Sequence, residues 1–122
     1  MRDKPRVLVV EDEYLVRDMI AYELIYAGFE VMAAESAETA LGLLDKVDGI
    51  DLLFTDIKLP GMDGWHLAEK IRARKTGLPV IYASGYPERM RLLPASKFLH
   101  KPYRPSDVLQ AAAELGIKLP QS

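Results

Sequence analysis

The chain of 122 residues contains no cysteine and no apolar run that approaches the roughly 20 residues needed to cross a bilayer. Without cysteine there can be no disulfide and no thiolate metal site. The absence of cysteine is compatible with a protein that works in a reducing compartment. The formal net charge is only −2, so composition gives no reason to expect binding to nucleic acid or to a membrane. The first five residues are mostly charged and lack the apolar core of a signal peptide. We therefore expect a cytoplasmic protein.

The chain does contain apolar runs that alternate with stretches of helical period. The runs cover residues 6–10, 29–34, 52–56, 80–83 and 97–100, and helical stretches begin near Glu13, Ser36, Asp63 and Pro105. Strands that alternate with helices predict a parallel sheet with helices on both faces. The length fits one domain over residues 1–122, with a core at about 6–116 and a short polar tail at 117–122.

Residues 86–96, between the fourth and fifth predicted strands, differ from the other connections. Pro87 and Pro94 leave room for only a short helix between them. We therefore expect the fourth helix to be short or irregular, which leaves the surface beside it undefined.

Polar residues follow directly on four of the predicted strands: Glu11-Asp12, Asp56, Ser84 and Lys101. The carboxyl ends of parallel strands meet at one edge of a sheet, where open α/β folds bind their ligands. Two like charges about 4 Å apart cost about 4 kcal/mol at an effective dielectric constant near 20. Such a group of acids holds a proton or recruits a hard cation such as Mg²⁺.

A metal, a lysine, a hydroxyl and a carboxylate are the groups that phosphoryl transfer requires. Mg²⁺ and Lys101 can neutralise the transferring group, while Ser84 offers a hydrogen bond. The carboxylate of Asp56 can act as the nucleophile and form an aspartyl phosphate. The hypothesis from the residues alone is that Asp56 takes a phosphoryl group and later loses it to water.

Several motifs together resemble the receiver domain of two-component response regulators: Val10-Glu11-Asp12, Asp56-Ile57-Lys58-Leu59-Pro60-Gly61-Met62-Asp63-Gly64, Ser84-Gly85 and Lys101-Pro102. The resemblance covers residues 6–115, and it implies a doubly wound, flavodoxin-like (βα)₅ fold with strand order 2-1-3-4-5. The last two motifs are each followed by a tyrosine, Tyr86 and Tyr103. With these tyrosines the motifs are more similar to those of free-standing receivers (such as the chemotaxis-regulator type) or of receivers in hybrid histidine kinases than to those of DNA-binding regulators.

The resemblance also implies a role for each site residue. Asp56 corresponds to the phosphoacceptor, and Asp12 with Asp56 to the direct ligands of Mg²⁺. Glu11 corresponds to the acid that reaches the metal through water, and the carbonyl of Lys58 to the backbone ligand.

Further positions correspond to the residues that sense the phosphoryl group. Ser84 and Lys101 match the hydroxyl and the ammonium that bind it, and Phe98 matches the aromatic that swings inward when the hydroxyl moves. Lys58 and Tyr86 match residues that flank the route of the attacking water. The Lys101–Pro102 peptide bond is cis in the family.

The function that this implies is phosphorelay signalling with a histidine kinase or a histidine phosphotransfer protein. We expect a downstream protein target or a homodimer, no nucleic-acid or membrane partner, and no enzyme activity beyond the domain's own phosphorylation and dephosphorylation. One alternative is a receiver-like module that binds partners without phosphorylation. A less favoured alternative is a small aspartate-nucleophile phosphatase, although Lys58 stands where that class has a second Asp, and no cap domain is present.

Overall fold

The computed structural model describes residues 3–86 and 94–120. The strands are β1 (Arg6–Val10), β2 (Glu30–Ala34), β3 (Leu52–Asp56), β4 (Val80–Ser84) and β5 (Ser96–His100). The helices within the described residues are α1 (Tyr14–Ala27), α2 (Ala37–Leu44), α3 (Gly64–Arg74) and α4 (Pro105–Glu114). The alternation predicted from sequence is therefore present.

The five strands form one parallel sheet in the order β2-β1-β3-β4-β5, as expected. The chain winds outward from β1 in one direction to β2 and then in the other direction from β3 to β5. In such sheets the crevice for ligands lies beyond the carboxyl ends of the strands where the direction reverses, here between β1 and β3. Val10 pairs with Thr55 and Asp56 with Ala83, so these three strands end at the same level.

Two apolar clusters cover the two faces of the sheet. One cluster joins the sheet to α2 and α3, and the other joins it to α1 and α4. Every residue of β3 and β4 is buried, which is the pattern of a strand covered by helices on both sides. The rigid centre of the sheet thus ends in Asp56 and Ser84.

Two helices begin next to the residues at which the sequence predicts their start, and these residues act as caps. The hydroxyl of Ser36 accepts a hydrogen bond from the Thr39 amide, and Asp63 caps α3 by accepting one from His66. Gly28 ends α1 with a φ of 116°, a conformation that glycine adopts without a steric penalty.

Some boundaries differ from the predicted ones. Strand β2 begins one residue later than expected, and β5 one residue earlier, at Ser96. Packing continues past Gly116, because Ile117 and Leu119 contact the cluster under α1 and α4. Most of the segment predicted to hold a short fourth helix, at residues 87–93, lies outside the described residues. The helix from Pro105, predicted as the fifth, is α4 here.

None of the helices within residues 3–86 and 94–120 combines the length and the apolar character that a membrane span requires.

Candidate functional site

A lysine lies between two buried acids at the carboxyl end of the sheet. The Nζ atom of Lys101 is 2.9 Å from Oε1 of Glu11 and 2.9 Å from Oδ2 of Asp56. The side chains of Glu11 and Asp56 are only 4% and 7% exposed, whereas Lys101 is 24% exposed. The ion pairs are therefore shielded from water, and each is charge-assisted and short.

Hydrogen bonds fix Glu11, the acid that directly follows β1. The amide of Glu11 donates to the Ala34 carbonyl at 3.1 Å, and the Arg17 guanidinium donates to the Glu11 carbonyl at 2.8 Å. The second carboxylate oxygen of Glu11 accepts from the Glu13 amide at 3.1 Å. Because both oxygens have partners, the Glu11 carboxylate is held in one orientation.

The loop after β3 passes very close to the start of α3. A Cβ atom at Gly64 would lie 2.2 Å from the Asp56 carbonyl oxygen and 3.0 Å from Cα of Ile57. The Gly64 amide donates to the Ile57 carbonyl at 2.8 Å. Only glycine permits this approach, so Gly64 sets how the backbone leaves Asp56.

Glu11, Asp56 and Lys101 each shift the pKa of the other two. Burial raises the pKa of Glu11 and the pKa of Asp56, and the effect exceeds the opposing stabilisation by Lys101. Burial opposes the charge on Lys101, but its hydrogen bonds to Glu11 and Asp56 outweigh this, so the pKa of Lys101 is raised. One ammonium therefore does not fully compensate the buried acids.

A third acid completes the group. Carboxylate oxygens of Glu11, Asp12 and Asp56 lie within 4.8 Å of one another, with Asp12 exposed at the rim. Clustered carboxylate oxygens, open to water on one side, are the donor set that a hard cation prefers. The negative charge left uncompensated by Lys101 adds to this fit. The cluster thus fits Mg²⁺ and a phosphoaspartate.

The remaining site residues surround Asp56. The Ser84 hydroxyl accepts from the Tyr86 amide at 3.1 Å and donates to the Tyr86 carbonyl at 3.3 Å. The Lys58 ammonium lies 4.6 Å from the centroid of the Tyr86 ring, a cation–π contact between two loops that leave the same sheet edge. Lys58 and Tyr86 are exposed, whereas Ser84 is buried.

Two features lie at the end of β5. The Phe98 ring is half-buried, packs against the cluster under α2 and α3, and lies 4.9 Å from the His100 ring. The Lys101–Pro102 bond is cis, as the resemblance implies. The Lys101 amide donates to the Ser84 carbonyl at 2.8 Å, which joins the ends of β4 and β5.

Sequence reasoning did not identify every contact of the site. The sequence predicted that Lys101 pairs with Asp56. The equally short contact of Lys101 with Glu11 was not predicted, because it depends on how β1 is aligned beside β3 in the sheet. The steric role of Gly64 was also missed, because the close approach of its backbone to Asp56 arises from tertiary packing. Trp65, near the start of α3, packs on the Tyr82 ring with centroids 4.3 Å apart.

Comparison with known families agrees with this geometry. The family model of the response regulator receiver domain matches residues 7–113. The chain belongs to this family. Receiver domains are regulatory parts of two-component systems, and they interact with histidine kinases or with phosphotransfer proteins.

Individual relatives support the assignment. The two-component response regulator ORR11 of Oryza sativa subsp. indica is 37% identical over 111 residues, which cover 85% of this chain and 76% of ORR11. Among solved structures, the receiver domain from the hybrid histidine kinase CckA is 34% identical and has a TM-score of 0.78, with 90% of this chain and 97% of that chain covered.

Another solved structure is that of the response regulator TrrA from Thermotoga maritima in complex with Mg²⁺ and BeF. It is 28% identical, has a TM-score of 0.79, and is matched over 91% of this chain and 98% of that chain. The chain spans only 24%, 47% and 35% of the lengths of three longer bacterial relatives.

Proposed function

We propose that this receiver domain accepts a phosphoryl group on Asp56 in a Mg²⁺-dependent reaction and thereby switches a protein-binding surface. The observation that carries the proposal is the pairing of Asp56 with Lys101 at 2.9 Å inside a cluster of three convergent carboxylates. A purely structural ion pair needs only one acid. The additional acids repel one another, which is unfavourable for the folded state. The repulsion is relieved when the acids bind a cation, and the bound cation can then attract an anion.

In this proposal Asp12 and Asp56 hold Mg²⁺ directly, Glu11 contributes through water, and the Lys58 carbonyl supplies a backbone ligand. When bound, Mg²⁺ supplies positive charge that neutralises the oxygens of the transferring group. The complex of TrrA with Mg²⁺ and BeF supports this for a relative of the same fold.

The transfer step uses the carboxylate of Asp56 as the nucleophile. One oxygen of Asp56 forms a bond to phosphorus while the P–N bond of a phosphohistidine donor breaks, and the electron pair of that bond leaves with the imidazole nitrogen. Lys101 donates to the other carboxylate oxygen and keeps the carboxylate oriented. In the separate dephosphorylation step water attacks phosphorus, the Asp56 O–P bond breaks with its electron pair returning to the carboxylate, and inorganic phosphate and a proton are released to solvent.

The switch uses the hydroxyl of Ser84 and the ring of Phe98. The Ser84 hydroxyl is bound to the Tyr86 backbone and must leave it to reach a phosphoryl oxygen on Asp56. Phe98, two strand residues before the end of β5, is only half-buried, so a second arrangement of its ring can bury it further. The phosphoryl group then biases a two-state arrangement around Phe98 because it contacts Ser84 in only one of the states.

The wider role follows from the family. We propose a cytoplasmic domain, with residues 1–122 forming one unit, that works with a histidine kinase or a phosphotransfer protein and is not an enzyme toward other substrates. The opposing hypothesis is a receiver-like module that binds partners without phosphorylation. The complete set of Asp12, Asp56, Ser84 and Lys101 argues against it, because such a module needs none of these groups. The phosphatase hypothesis is weaker still, because Lys58 occupies the place of the second acid.

A beryllofluoride titration followed by NMR tests the proposal. We expect saturable shifts around Asp56, Ser84 and Phe98 that require Mg²⁺ and that disappear in Asp56→Asn. The matched control is Asp63→Asn, which alters an acid of the same loop but keeps a residue that caps helices well. Shifts that are absent, or that persist in Asp56→Asn, support the phosphorylation-independent module instead.

A further inference from the structure

A carboxylate of α2 contacts the loop that follows Asp56. This loop, residues 57–63, joins the end of β3 to the start of α3, and we call it the β3–α3 loop. Glu38, in the first turn of α2, accepts a hydrogen bond from the Met62 amide at 3.2 Å. The two residues are 24 positions apart in the chain, so the contact arises from the tertiary fold.

The same carboxylate also lies over the backbone of Gly61. A Cβ atom at Gly61 would lie 2.9 Å from Oε2 and 3.4 Å from Oε1 of Glu38, so the carboxylate occupies the space that a side chain would need. Gly61 also has a φ of 76°, a conformation that favours glycine. Two neighbouring residues of the β3–α3 loop are therefore fitted to Glu38, Met62 by its amide and Gly61 by its lack of a side chain.

Helix α2 gives Glu38 a fixed support. The Ser36 hydroxyl caps the helix, and Ala37 and Ala40, on either side of Glu38 in the chain, are buried in the core. A negative charge in the first turn is also stabilised by the helix dipole. The contact with the loop therefore comes from a part of the molecule that is itself well anchored.

The β3–α3 loop is held at other points as well. The Gly64 amide donates to the Ile57 carbonyl at 2.8 Å, which closes the loop at its base. Leu59 and Met62 are partly buried and pack against the cluster that joins the sheet to α2 and α3. With the base closed and two side chains packed, the hydrogen bond of Glu38 fixes the backbone near the far end of the loop.

This part of the loop is linked to the metal site. Lys58 lies four residues before Met62, and its carbonyl is the backbone ligand of Mg²⁺ in the proposed function. The ring of Pro60, between them, fixes one backbone angle and limits how the connecting residues can be arranged. We propose that Glu38 is a positioning residue, whose hydrogen bond to Met62 keeps the β3–α3 loop in the arrangement that binds Mg²⁺. The inference rests on the proposed function, because it gives Glu38 a role only through the metal.

The contact should affect metal binding more than folding. It lies at the surface, where water can replace either partner, so its loss leaves no buried group without a hydrogen bond. Without it the loop has more arrangements, and Mg²⁺ binds only the fraction in which the Lys58 carbonyl is in place. A hydrogen bond of ordinary net strength corresponds to a change of about three- to tenfold in affinity.

Titration of the full chain with MgCl₂, followed by its amide NMR signals, tests the inference. We expect Glu38→Ala to weaken Mg²⁺ binding about three- to tenfold. Glu38→Gln should stay within about twofold of the wild type, because its amide oxygen can still accept from Met62. The matched control is Glu114→Ala, which removes a carboxylate from the last residue of α4 and should leave the affinity unchanged.

The titration distinguishes failure of this inference from failure of the proposed function. A wild type that binds no Mg²⁺ overturns both. A wild type that binds Mg²⁺ while Glu38→Ala binds it equally well overturns the role of Glu38 alone. An equal loss in Glu38→Ala and Glu38→Gln also overturns that role, because it assigns the effect to the charge. The Met62 amide signal should shift in Glu38→Ala even without Mg²⁺, and an unchanged signal contradicts the hydrogen bond itself.

Discussion

At the scale of single residues, the site is organised by a shortage of positive charge. Lys101 contacts both Glu11 and Asp56, yet burial still raises the pKa of both acids. A buried acid whose pKa is raised in the folded state lowers stability once it is ionised. The acids are therefore retained at a cost to the fold, which is typical of functional groups.

The substitution Asp56→Asn, studied in the absence of Mg²⁺, tests this cost. At pH 8 the variant should be more stable than the wild type, because it lacks the penalty of ionising a buried carboxyl group while Lys101 keeps Glu11 as a partner. Since the folded-state pKa is raised, stability of the wild type is retained below the unfolded pKa and falls as the pH rises through the folded pKa. The difference should therefore vanish near about pH 4. Urea unfolding at several pH values measures it, and a destabilised variant at pH 8 contradicts it.

The contact between Lys58 and Tyr86 leads to a second prediction at this scale. The pair joins the loops that follow β3 and β4, and we propose that it restricts the approach of water to Asp56. Tyr86→Ala should shorten the lifetime of the phosphorylated state about two- to fivefold, since a cation–π contact contributes about 0.5–1 kcal/mol. The lifetime is measured as the loss of phosphoryl label, with Tyr26→Ala as a control at an exposed tyrosine of α1. An unchanged or longer lifetime argues against a role as a barrier.

At the scale of elements, the alternation of strands and helices follows from the pattern of the sequence, whereas the strand order was implied by the resemblance to receiver domains. β-Branched runs such as residues 6–10 and helical stripes from Ser36 and Asp63 are local signals, and local signals were sufficient for the elements and the caps. The contact of Glu11 with Lys101 was not predicted, because it depends on side chains 90 residues apart in the chain. The role of Gly64 also depends on tertiary packing, which no local pattern specifies.

Gly64 provides a test of how α3 is placed against β3. In Gly64→Ala the new Cβ would lie 2.2 Å from the Asp56 carbonyl oxygen, so the backbone must move. We expect a loss of about 2–3 kcal/mol in the free energy of unfolding and weaker binding of Mg²⁺. The matched control is Gly42→Ala in α2, where no atom lies within 4 Å, and it should stabilise the fold by about 0.5–1 kcal/mol. Equal effects of the two substitutions contradict this explanation.

At the scale of the whole molecule, stability and ligand binding are linked. A cation that binds the folded chain and not the unfolded chain raises stability by about 2.7 kcal/mol at a concentration 100 times its dissociation constant. Mg²⁺ should therefore raise the melting temperature of the wild type and have little effect on Asp12→Asn or Asp56→Asn. The fluorescence of Trp65, the single tryptophan of the chain, follows the unfolding transition. Equal stabilisation of all three proteins places the cation elsewhere.

The central claim is that Asp56 carries the phosphoryl group. The most direct measurement is to treat the chain with a small-molecule phosphoryl donor and Mg²⁺, reduce it with borohydride, and map the modified peptide by mass spectrometry. Borohydride converts an aspartyl phosphate to homoserine and leaves free aspartate unchanged. We expect homoserine at position 56 and none in samples without Mg²⁺. Homoserine at another position, or none in the complete reaction, contradicts it.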